Sequence, residues 1–288
     1  MTISASEPPT GQCALLCALV LASGIVMAQD PPPAQATAVP ARSAPSPAKP
    51  AEAPFVVVPI WTSEQSPLDF MEAVGQHTKA RWRQLYRPPP PTPSPDRSKT
   101  AFILGGLVGD SFLCLQAGDA QTFRNNNQEM LTYCRVLGIA DGISPRLMAQ
   151  AKMAEMDQWP ELRREVVDGQ SEMGRILRDQ HDEDLAILVD LGIWMRILEI
   201  VSAIVVENPD TDTRALCIGS PALLEDLRTN FAKLGESTRR DESVALLGEL
   251  LDFLDRHWSQ VDKEIPSSEV VAKTNERIKA LMKKLTLK

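Results

Sequence analysis

The sequence predicts an all-α protein, an irregular antiparallel helical bundle of about seven to nine helices, preceded by a signal peptide and a proline-rich disordered linker. Three observations carry that prediction. Of the 23 prolines, 18 precede residue 96, and the other five (Pro145, Pro160, Pro209, Pro221, Pro266) stand where a helix would start or stop. The stretch 183–207, EDLAILVDLGIWMRILEIVSAIVVE, is apolar around most of a helical circumference and ends at Asn208-Pro209. After residue 98 no segment alternates strictly between apolar and polar residues, and no period of 34 or 40 residues marks a solenoid.

In the central stretch, Ala186, Ile187, Trp194, Ile197, Leu198, Val201, Ile204 and Val205 share one broad face. Its length would suit a membrane span. Asp190, Arg196 and Glu199 in its middle oppose that reading, because each charge is costly at bilayer depth. A core helix is expected.

From the N-terminus, residues 13–28 form an apolar run of signal-peptide length, with small residues around Ala28 and polar Gln29-Asp30 beyond. No Lys or Arg precedes the run, so an uncleaved anchor is the alternative. Residues 29–62 form a Pro/Ala-rich linker that favours extended conformations. It ends in the apolar FVVVPIW, which carries Trp61. Ser66-Pro67-Leu68-Asp69 reads as a helix start, with Ser as N-cap and Pro in the first turn. An amphipathic helix is therefore expected over 63–87, carrying His77, Trp82 and Tyr86, followed by a proline-rich linker over 88–98. Trp61, Trp82 and Tyr86 are the candidates for docking a partner.

The bundle domain is expected over 99–288. Gly105 and Gly109 fall on one face of its first helix, where a neighbouring helix could approach closely. Phe123, Asn127, Met130, Cys134 and Leu137 follow 4-3-4-3 spacing, a bundle seam with one polar member that Gly138 ends. Ser144-Pro145 is read as the start of a short helix, and Trp159-Pro160 of a longer one with Leu162, Val166, Gly169 and Met173 inward. His181-Asp182 separates that helix from the central one. Further helices follow Pro221, carry Val244 to Trp258, and follow Pro266 with Ile278, Leu281 and Leu285 inward.

The formal charge is −8, and −7 once Glu7 leaves with the leader. An acidic chain with charges of both signs on its helices excludes a nucleic-acid role. No GxGxxG, P-loop, HExxH, GxSxG or CxxC occurs, and three widely spaced histidines do not make a metal site. No cofactor or metal is expected. Asp110 and Asp190 each fall among apolar residues on the helical wheel. An unpaired buried carboxylate is expensive, so each is expected to meet an arginine, with Arg124, Arg135, Arg175 and Arg178 as candidates. A shared carboxylate site, with His181 as a third group, is the alternative. Cys114 and Cys134 are expected to be buried thiols, a bridge between them being the other reading.

These readings describe an exported, periplasmic or cell-envelope protein that is not an enzyme and acts through a protein partner or as a homo-oligomer. Membrane contact would come only through residues 13–28. The alternative function is a small-ligand or metal binder built on Asp110 and Asp190.

Overall fold

The computed structural model describes residues 66–87, 92–208, 214, 221–258 and 265–286, all within the unit Pro54–Lys288. The leader, the 29–62 linker, Trp61 and Cys217 lie outside the described residues. Among those described there are ten α-helices, one 3-10 turn and no strand, so the protein is an all-α bundle.

Helix α1 (Pro67–His77) starts on a capping box, in which the Ser66 hydroxyl accepts from the Asp69 amide at 3.2 Å and Asp69 accepts from the Ser66 amide at 2.9 Å. Phe70, Met71 and Val74 are fully buried, and the Phe70 ring meets Trp194 with centroids 6.1 Å apart. The helix expected over 63–87 stops ten residues early. Thr78 is extended (φ −132°, ψ 154°), its hydroxyl donates to the Val74 carbonyl at 2.8 Å, and the chain resumes as a 3-10 turn, Trp82–Leu85. A continuous helix would carry Leu85 and Arg87 away along its axis. The break instead lays 82–87 across the bundle as a strap.

Helix α2 (Arg97–Ala117) begins inside the expected linker because Asp96 caps it, accepting from the Lys99 amide at 3.1 Å. It ends on Gly118 at φ 59°, a left-handed cap that favours glycine. Helix α3 (Ala120–Leu137) is capped by Asp119, buries the whole 4-3-4-3 seam, and ends on Gly138 as expected. Helix α4 (Ala140–Glu155) starts one turn before the expected Ser144-Pro145, with Pro145 inside it. Proline there deprives only the Asp141 carbonyl of an amide partner, and Asp141 is exposed, so water can serve it. Helix α5 (Trp159–Asp179) turns Leu162, Val166, Gly169 and Met173 inward. His181, at φ 62°, reverses the chain into α6 (Glu183–Glu207).

Of the 25 residues of α6, 17 are buried, more than a one-sided amphipathic helix could hide. Its main neighbour is α2. The helices from α2 to α6 alternate in direction through short turns, and each neighbouring pair packs antiparallel, so after four reversals α6 runs parallel to α2. Gly105 lies against Val189 and Ile193, and Gly109 against Arg196, in matching order along both helices. A Cβ on Gly105 would stand 2.0 Å from the Val189 carbonyl oxygen, and one on Gly192 2.1 Å from that of Phe102. The expected close approach at the glycines is therefore the central contact of the fold.

Helices α7 (Pro221–Lys233), α8 (Glu236–Arg240), α9 (Glu242–Trp258) and α10 (Ser268–Thr286) complete the bundle, with α7 and α10 covering α6. Among the described residues one helix, α2, is long and apolar enough to cross a membrane by composition, and most of it is buried inside this chain.

Candidate functional site

Asp110 and Arg196 meet at the α2–α6 contact because Gly109, having no side chain, lets the Arg196 stem lie against α2. The Arg196 Nε donates to Asp110 Oδ1 at 2.6 Å, and an Arg87 Nη donates to Asp110 Oδ2 at 2.8 Å. Arg196 also pairs with Glu199 at 3.0 Å and donates to the Leu85 carbonyl at 2.7 Å. Arg87 lies 3.7 Å from Glu199. Two guanidiniums and two carboxylates thus form a neutral cluster, with the Arg196 side chain only 2% exposed. Burial alone would raise the Asp110 pKa, but Arg196 and then Arg87 outweigh it and hold the carboxyl below its ordinary range. The same carboxylates keep Arg196 charged against the opposing effect of burial. The arrangement fastens the 82–87 strap to α2 and α6.

Asp190 has different company. It lies near the charge of Arg178 and is hydrogen-bonded by Gln170, each of which lowers its pKa. Burial outweighs both and pushes its pKa up to about 6. Asp190 and Arg196 are six residues apart on α6, which places them about 240° apart around the axis. The two carboxylates therefore do not share a site. His181 is exposed in the α5–α6 turn and joins neither. Among the described residues no group of three or more His, Cys, Asp and Glu could hold a metal ion.

Trp82 and Tyr86 are half-buried against this chain's own core, and the Tyr86 hydroxyl donates to Asp119 at 3.4 Å. Cys114 and Cys134 are buried and unbridged. Burial pushes the Cys134 thiol up to about 12 and raises Cys114 as well, which favours the protonated form of both.

The sequence reading missed Arg87 and Arg196 as the partners of Asp110, and Glu199 as the second carboxylate of the cluster. The signal was present: two long apolar helices carry one carboxylate and one Arg/Glu pair near their middles, and such charges need each other. None of the four arginines proposed for Asp110 is its partner, while Arg178 does face Asp190.

Compared with protein-family models, curated proteins and solved structures, the chain has no match.

Proposed function

We propose that this chain is an exported cell-envelope protein that acts by binding a protein partner rather than by catalysis. The observation that carries the reading is the state of Asp110. The carboxylate best placed for buried chemistry is saturated by Arg87 and Arg196, which serve to hold a strap on the bundle. The apolar leader over 13–28 and the proline-rich spacer after it add the expectation of export. The alternative, a ligand or metal on Asp110 and Asp190, draws no support from two carboxylates with separate neighbours.

The test is native mass spectrometry of the protein purified gently from its own host. A chain starting at Gln29 and carrying a second polypeptide at fixed stoichiometry is the expected result. A cytosolic chain starting at Met1 overturns export. A small molecule or metal at fixed stoichiometry, with no polypeptide, overturns the partner reading.

A further inference from the structure

Helix α4 packs against α3 on one side and α5 on the other, and the face it turns to solvent is unlike theirs. Asp141, Pro145, Met148 and Lys152 are all exposed, follow 4-3-4 spacing, and fall within ~60° of one another around the helix axis. Met156, at the end of the helix, continues the stripe. Met148 is 69% exposed and Met156 56%, the two most exposed large apolar side chains among the described residues. The exposed stripes of the flanking helices are polar: Gln121, Asn125 and Gln128 on α3, and Arg164, Asp168 and Arg175 on α5. The other charges nearby are paired, Arg124 with Glu155 and Arg146 with Glu165. Asp141 and Lys152 have no ion-pair partner among the described residues. The stripe is therefore apolar in its middle, with an unpaired acid at one end and an unpaired base near the other.

The order of these residues selects the partner. A 4-3-4 spacing reads the same in both directions, so a second α4 laid antiparallel meets the first position for position. Met148 then falls on Pro145 of the copy and Lys152 beside Asp141 of the copy, each contact occurring twice. A parallel pairing would set Asp141 against Asp141 and Lys152 against Lys152, and like charges at that distance repel. A two-fold interface must be complementary to itself, which is a demand that binding a different protein does not make. We propose that the exposed face of α4 binds a second copy of this chain, antiparallel, across a two-fold axis lying between Pro145 and Met148. Met148 is covered by the copy, Lys152 pairs with the copy's Asp141, and Met156 reaches toward the copy's α3–α4 turn. This rests on the partner-binding reading above and names the partner.

The experiment is sedimentation velocity in low salt on the protein purified from its own host, between about 5 and 500 µM. The helix has 16 residues and is ~24 Å long, so its face alone makes a small interface, and a reversible monomer–dimer equilibrium within that range is expected. Met148→Asp should weaken the dimer at least tenfold. Asp141→Lys and Lys152→Asp should each weaken it at least fivefold, because each puts like charges together at both ends. An equimolar mixture of those two variants should dimerise as tightly as wild type, because across the mixed pair every acid again faces a base. All three positions are exposed, and unchanged melting temperatures confirm that the variants are folded. A chain that stays monomeric, a Met148→Asp variant that dimerises like wild type, or a mixture no tighter than either variant alone each overturns the proposal. If native mass spectrometry finds a different polypeptide on a chain that does not self-associate, the second-copy assignment fails and the partner reading stands.

Discussion

At the scale of single residues, two partly buried carboxylates of one type behave oppositely because of what surrounds them. Asp110 has two guanidiniums at hydrogen-bonding distance and is held ionised. Asp190 has the charge of Arg178 and the amide of Gln170, and burial prevails. The signs follow from proton binding. Asp110, depressed in the fold, contributes stability above its ordinary pKa of 3.8 that is lost as pH falls through its folded value. Asp190, raised to about 6, makes the fold bind a proton that the unfolded chain has released, so its contribution declines as pH rises from 3.8 to about 6. Asp190→Asn should therefore stabilise the protein at pH 7.5, by on the order of 2 kcal/mol. Asp110→Asn should destabilise it by about 3 kcal/mol, leaving Arg196 buried without its main partner. Urea melts of both variants between pH 4 and 8 check this, and a destabilised Asp190→Asn at pH 7.5 would sink the assignment. The sequence reading expected both carboxylates to be paired, and so expected loss of Asp190 to be harmful. A helical wheel places a residue on a face but cannot say whether the residue opposite is Arg196 or Gln170.

At the scale of elements, the bundle depends on how closely α2 and α6 approach. With a Cβ on Gly105 only 2.0 Å from a backbone oxygen, the helices must separate, because a backbone carbonyl cannot swing aside as a side chain can. Gly106, one residue on, would meet only the ends of Met282 and Arg87, at 3.0 and 3.2 Å. Gly105→Ala should therefore lose roughly 3 kcal/mol or more, whereas Gly106→Ala should stay within about 1 kcal/mol of wild type, offset by the better helix propensity of alanine. Paired denaturant melts decide it, and equal midpoints for the two variants would refute the close-contact account. The glycine spacing was legible in the sequence, and so were the caps at Ser66 and Gly138, because these are local rules. The break at Thr78 was not. Its reason is long-range: the Leu85 carbonyl and Arg87 have to reach Arg196 and Asp110.

At the scale of the whole molecule, alternation of short antiparallel turns brings the fifth helix of the run back beside the first and parallel to it. That closure buries both cysteines of the described core and keeps them apart. From Gln29 onward the sequence contains three cysteines, Cys114, Cys134 and Cys217. Denatured without reductant, the protein should release the thiols of both Cys114 and Cys134, and in native buffer both should react slowly with an aromatic disulfide. Isolation of a peptide pair joined through Cys114 and Cys134 would contradict the packing.

By itself the sequence determined the helical class, the core helix 183–207 to the residue, most helix ends, and the inward faces. Those follow from periodicity and capping, which act within a few residues. Only the tertiary structure decided which helix lies beside which, that Asp110 answers to Arg196 and Arg87, and that Asp190 has Arg178 and Gln170 for neighbours instead. Each of these is a meeting between residues well separated along the chain. Charge pairing and hydrogen-bond satisfaction depend on a few ångströms in space, and distance along the chain does not encode that.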